Sequence, residues 1–201
     1  MVSVSSPTPL VQRTLETGGD ARATLVVENR GETLLYPRLV LSGLPPVGRE
    51  KAAANGLGLS VAYQATDGDA LDPARLDQGT DFKAIVTVTN TGERGDYEQI
   101  ALSHVVPSGW EIHHERLGTG GRRAATRFDY QDIRDDRVYT YFALKAGETK
   151  TVEVRLNASY LGRFYLPPVS VEAMYDATVN ARVVGRWVEV VQAGATERTA
   201  R

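Results

Sequence analysis

The stretch Tyr165-Leu166-Pro167-Pro168-Val169-Ser170-Val171-Glu172-Ala173-Met174-Tyr175-Asp176 decides the fold class. Val169, Val171, Ala173 and Tyr175 fall on one face of an extended chain, and Ser170, Glu172 and Met174 on the other, which is the two-residue period of a half-buried strand. Pro167 and Pro168 cannot donate to a ladder, so they suit a strand entrance or an edge. The strand stops at an aromatic tip. Residues 176–182 (DATVNAR) lose the alternation, and residues 183–191 (VVGRWVEVV) resume it as a closing strand.

The same period recurs outward from this stretch. Residues 82–89 are the clearest case, with Phe82, Ala84, Val86 and Val88 on one face and Lys83, Thr87 and Thr89 on the other. Residues 57–64 (LGLSVAYQ) run into the turn Asp67-Gly68-Asp69, and residues 97–106 follow the loop 90–96. Residues 111–117 suggest a further strand, and the glycines of 118–123 predict a flexible segment. Residues 138–144 (VYTYFAL) and 151–158 (TVEVRLNA), joined by Lys145-Ala146-Gly147-Glu148, predict a hairpin. Near the N-terminus, residues 10–15 suggest a short strand and Gly18-Gly19-Asp20 a turn. Residues 23–28 and 34–41 predict another hairpin about Asn29-Arg30-Gly31-Glu32. Residues 49–56 (REKAAANG) read as a link with one helical turn at most. Short strands separated by turns, with no sustained helical period, predict an all-β fold, an antiparallel β-sandwich with an N-terminal β-hairpin segment. A jelly roll or a partly closed barrel fits the same signals.

Composition narrows the function classes. A chain of 201 residues, 42% hydrophobic, can bury a core in one large or two small domains. A formal net charge of -2 gives no reason to expect nucleic acid or an anionic membrane as partner. There is no cysteine, hence no disulfide, thiolate metal site or cysteine nucleophile. No apolar run reaches the roughly 20 residues of a membrane-spanning helix, and residues 1–7 lack a signal-peptide pattern. That is the expectation for a cytoplasmic protein or for a piece of a longer exported one.

Several separated motifs carry a family resemblance. Residues 102–111 (LSHVVPSGWE), 132–142 (DIRDDRVYTYF), 157–165 (NASYLGRFY) and 171–176 (VEAMYD), closing on Trp187-Val188-Glu189-Val190, resemble the C-terminal end of bacterial alpha-2-macroglobulins. The resemblance spans roughly residues 56–191, and the N-terminal hairpin with Gly43-Leu44-Pro45 looks like the stretch just upstream in that family. It implies a macroglobulin-like sandwich of fibronectin or immunoglobulin architecture over 56–192. It also implies that residues 1–50 are the end of a preceding domain or extra strands of this one, with 193–201 a disordered tail. It further implies a periplasmic, non-enzymatic part of a broad-spectrum protease trap, with no cofactor. Partners would be the thioester domain of the same parent polypeptide and the proteases that the parent captures.

In that family a Cys–Gln thioester captures the attacking protease, and a Met-Tyr pair on the last macroglobulin-like domain helps to shield it. Having no cysteine, this chain cannot hold the thioester; Met174 and Tyr175 match the shielding pair. A wet acyl thioester hydrolyses, and a polarizable Met beside an aromatic ring excludes water while the Tyr hydroxyl offers one hydrogen bond. Strand alternation would send Met174 and Tyr175 to opposite faces, so both can serve only if the strand breaks there. Core and rim packing is the plain alternative for the pair. Tyr165 and Trp187 read as core residues.

Other constellations point elsewhere. Asp129, Asp132, Asp135 and Asp136 supply oxygens for calcium, but not at EF-hand spacing, and Arg134 and Arg137 among them favour local salt bridges and turn caps. His113 and His114 diverge in an extended chain and, with His104, make a poor zinc set. Asn157-Ala158-Ser159 fits a glycosylation sequon common by chance, and Arg122-Arg123 is too short for a nucleic-acid patch. No Ser, His and Asp set carries a nucleophile context. A structural spacer or an adhesin-type sandwich that binds through its loops is the rival reading from a different class.

Overall fold

The computed structural model describes residues 10–14, 24–40, 43, 46–113 and 128–194. The chain divides into two compact units, residues 1–43 and 44–201. In the first, Asn29 builds the expected turn: its Oδ1 accepts from Gly31 N at 3.0 Å and its Nδ2 donates to Thr33 O at 2.8 Å. Residues 24–28 and 34–40 on either side carry no strand, so the N-terminal hairpin is present as its turn alone among the described residues. Leu25, Val26, Leu34, Tyr36 and Leu39 are all exposed. With no apolar face buried, a two-stranded ladder is marginal. Residues 10–14 are likewise not a strand, and the turn expected at 18–20 lies outside the described residues.

The second unit begins earlier than residue 56. Residues 53–55, read from sequence as part of a link, form the edge strand β1 (Ala53–Asn55), and β2 (Leu57–Ala65) follows at once. Then come β3 (Arg75–Asp77), β4 (Asp81–Asn90), β5 (Tyr97–Val105), β6 (Trp110–Ile112), β7 (Tyr130–Ile133) and β8 (Arg137–Leu144). The last are β9 (Thr149–Ala158), β10 (Gly162–Leu166), β11 (Val169–Ala173), β12 (Asp176–Val183) and β13 (Arg186–Val191). None of the described residues is helical, and no helix is long and apolar enough to cross a membrane. The outer part of the strand expected over 111–117 and the segment 118–123 lie largely or wholly outside the described residues.

The strands form a six-stranded sheet in the order β1-β12-β11-β5-β8-β7, a four-stranded sheet β2-β4-β9-β6 and a three-stranded ribbon β10-β13-β3. Every pairing is antiparallel except that of β13 with β3. Alternation along β4, β8 and β9 sends Phe82, Val86, Phe142, Leu144, Val154 and Leu156 into one core shared by the two larger sheets. Each such side chain contributes about 1.5–3 kcal/mol by leaving water. Phe82 meets Trp110 edge to face at 4.9 Å between centroids, and Tyr63 leans on both.

The structure departs from the sequence reading at several places. Residues 138–144 and 151–158 are not a hairpin: β8 lies in the six-stranded sheet and β9 in the four-stranded one. Lys145–Glu148 is therefore an arch over the sandwich edge, closed by Glu148 N on Lys145 O at 2.9 Å. Residues 176–182, which lose the alternation, are nonetheless most of a strand, β12, with Val179 and Ala181 buried. Trp187 is not core, being 49% exposed on the ribbon, where Arg163 stacks on it at 4.7 Å and Tyr165 meets its edge. Tyr165 is only half-buried and donates its hydroxyl to Glu50 Oε2 at 2.6 Å. At the C-terminal end, Ala193 and Gly194 form a turn rather than a loose tail, Gly194 N donating to Asp77 Oδ2 at 2.9 Å; residues 195–201 lie outside the described residues.

Candidate functional site

β11 runs between β5 and β12, its ladder to β5 ending at the pair Ala173↔Ile100. One more bond, Met174 N to Gln99 O at 3.0 Å, extends that side past the last paired residue. The strand then breaks. Met174 and Tyr175 form the turn between Ala173 and its partner Asp176, so the two side chains are released from strand alternation and both stand at the apex. They are 50% and 84% exposed, while Val169 and Val171 of the same strand are buried. A thioether and a phenol thus project from a strand fixed on both sides.

The return path is irregular. Glu172 pairs with Asn180 but Ala173 pairs with Asp176, so Ala177, Thr178 and Val179 form an excursion of β12 with no partners on β11. Side chains hold it. Asp176 Oδ1 accepts from Thr178 N at 3.0 Å and from the Thr178 hydroxyl at 2.6 Å. These bonds, with Arg94 nearby, hold the Asp176 carboxyl below the usual range. Asn180 Nδ2 donates to Ala177 O at 2.8 Å, and Asn55 Nδ2, from β1, donates to Thr178 O at 2.6 Å. Val179 points inward and is buried.

Arg94 reaches this excursion from the loop between β4 and β5. Its Nη1 donates to the Thr178 hydroxyl at 3.0 Å, its Nη2 donates to Asn55 Oδ1 at 3.2 Å, and Asp176 Oδ2 lies 4.0 Å from Nη1. Nothing in the sequence singled out Arg94, Asn55 or Thr178. They lie up to 123 positions apart and belong to no motif.

The remaining candidates resolve into structural roles. Asp132 is paired with Arg134 and Asp136 with Arg137, and among the described residues no group of His, Cys, Asp or Glu could hold a metal ion. His104 is buried on β5, whereas His113 is exposed beside Asp81 Oδ1 at 3.0 Å; His114 and Arg122-Arg123 lie outside the described residues. Asn157 of the sequon donates to Asp81 Oδ1 at 2.7 Å, and Ser159 donates to Glu111 Oε2 at 2.8 Å. Their bonds hold the Asp81 and Glu111 carboxyls below the usual range.

The two packed antiparallel sheets make an all-β sandwich of macroglobulin-like class. The family profile described as the bacterial alpha-2-macroglobulin MG10 domain matches residues 56–177, and the chain belongs to that family. The alpha-2-macroglobulin of Pasteurella multocida is 21% identical over 178 residues, covering 89% of this chain and 9% of that protein. An alpha-2-macroglobulin homolog of Yersinia pestis is 26% identical over 157 residues, covering 67% of this chain and 8% of that protein. Among solved structures, a Salmonella alpha-2-macroglobulin reacted with methylamine aligns with a TM-score of 0.64 and 21% identity, over 74% of this chain and 10% of that one. The chain thus spans less than a tenth of the curated relatives it matches.

Proposed function

We propose that this chain serves as the non-catalytic C-terminal macroglobulin-like domain of a periplasmic alpha-2-macroglobulin, a broad-spectrum endopeptidase inhibitor. In this reading Met174 and Tyr175 cover a thioester carried by a separate domain of the parent polypeptide. The observation that carries it is the apex itself. An aromatic and a thioether side chain stand exposed on a turn whose incoming strand is paired on both sides. A flat, polarizable pair on a rigid support suits the exclusion of water from a strained acyl group. An aromatic left in water at a hairpin tip suits an interface better than a core. Attack by a protease on the parent then lifts the cover and frees the acyl group for capture. The relative solved after reaction with methylamine, a small amine nucleophile, fits this chemistry.

The test is Tyr175→Gly in the full-length parent, followed by the release of free thiol in buffer and in methylamine. Cover by the tip gives faster loss of the thioester in the variant in both media. An unchanged rate refutes it.

A further inference from the structure

We propose that Arg94 is the positioning residue of the Met174–Tyr175 apex; the proposal rests on the reading of that apex as the covering element. The incoming side of the hairpin is held by main-chain bonds to β5, but the outgoing side has no ladder over Ala177, Thr178 and Val179. There the pose of the turn depends on side chains. Asp176 and Asn180 act from the two ends of the excursion and Asn55 from the edge strand β1, so all three belong to the six-stranded sheet itself. Arg94 alone among these contacts comes from the loop that crosses between the two larger sheets.

That loop is braced by side-chain hydrogen bonds at both ends. The buried Asn90 accepts from Gly92 N at 2.9 Å and donates to Gly95 O at 2.8 Å and to Leu144 O at 3.2 Å, while Asp96 Oδ1 accepts from Ala146 N at 2.8 Å. Arg94 is thus mounted on the arch side of the sandwich and grips two strands with one planar fork, Thr178 by Nη1 and Asn55 by Nη2. Its side chain is 42% exposed, so its charge adds little to global stability. What it fixes is where the turn after Ala173 stands relative to β1. A lysine keeps the charge near Asp176 but offers one nitrogen in place of the planar fork whose two nitrogens reach Thr178 and Asn55 separately.

The test is a cycle in the full-length parent: native, Arg94→Ala, Tyr175→Ala and the double variant, with Arg94→Lys beside them, each followed by the rate of thioester loss to methylamine. Positioning through the tip gives at least about a fivefold faster loss for Arg94→Ala, a similar loss for Arg94→Lys, and no further acceleration in the double variant over Tyr175→Ala. The urea midpoint of the 201-residue chain stays unchanged. A native rate for Arg94→Ala, or an equal acceleration on the Tyr175→Ala background, overturns the proposal while leaving the covering role intact. If Tyr175→Ala itself changes nothing, the covering role fails. Amide exchange in the 201-residue chain then decides the positioning role. Faster exchange at Met174 and Thr178 in Arg94→Ala, with β4 amides unchanged, sustains it, and unchanged exchange at both overturns it.

Discussion

The burial of His104 makes the stability of this sandwich depend on pH between neutrality and mild acid. His104 sits on β5 opposite Val138, is 1% exposed, and neither ring nitrogen has a hydrogen-bond partner among the described residues. Burial disfavours the imidazolium and pushes the pKa from 6.5 down to about 4. The unfolded chain therefore takes up a proton near pH 6.5 while the folded chain resists until near pH 4, and stability falls as pH falls between the two. At about 1.36 kcal/mol per pKa unit the full effect is about 3 kcal/mol, of which about 2 kcal/mol is lost between pH 7 and pH 5. Asp81, Glu111 and Asp176, whose pKa values are lowered, contribute stability that is lost only further into acid. The assay is urea unfolding of the native chain and of His104→Leu at pH 7, 6 and 5. In His104→Leu the loss over this window is largely abolished, and at pH 7 the variant is no less stable, because two buried nitrogens without partners are gone. An equal loss in both proteins refutes the argument.

Other outcomes follow from the packing. Phe82→Ala removes the ring that Trp110 and Tyr63 pack against and costs about 3–5 kcal/mol, read as a lower urea midpoint at unchanged slope. Asn90→Ala frees Gly92 N, Gly95 O and the buried side of Leu144 O and costs about 2 kcal/mol or more by the same assay. Tyr165→Phe removes the strongest influence on Glu50, whose pKa then rises toward the ordinary carboxylate value in an NMR titration. Trp110 is buried and Trp187 half-exposed, so Trp187→Phe removes most of the fluorescence that acrylamide quenches and leaves blue-shifted emission.

The strands with a clean two-residue period were legible because their inward side chains are the core itself: Phe82 to Val88 on β4, Val138 to Leu144 on β8, and Val169 and Val171 on β11. Which sheet each strand joins was not legible. Period 2 states that a face is buried but not which partner buries it, so the arch at Lys145–Glu148 read as a hairpin. β12 was missed because the excursion at Ala177, Thr178 and Val179 interrupts its alternation. β1 was missed because Ala53, Ala54 and Asn55 have weak strand preference and are held by pairing to Arg182, Ala181 and Asn180. Trp187 misled because an indole stacked under Arg163 reads like any buried aromatic. At the apex, the loss of period after Tyr175 did mark the break, while Arg94 and Asn55 could be found only once distant segments were brought together.

The order in which strands enter the sheets also governs how the chain reaches this state. Only β7–β8 and β11–β12 are sequence neighbours within the larger sheets, and β1 waits for β12, with Ala53 pairing Arg182. Neither of the larger sheets can be completed from one contiguous segment, and loop-closure entropy precedes most of the reward. During synthesis the six-stranded sheet stays open, its β5 edge unpaired until β11 emerges and its β11 edge unpaired until the residues that carry the apex and β12 have followed. A ribosome stalled before residue 176 therefore holds a chain with an unpaired inner strand, β11, rather than a smaller version of the domain, and an unpaired inner strand is the kind of edge that invites aggregation.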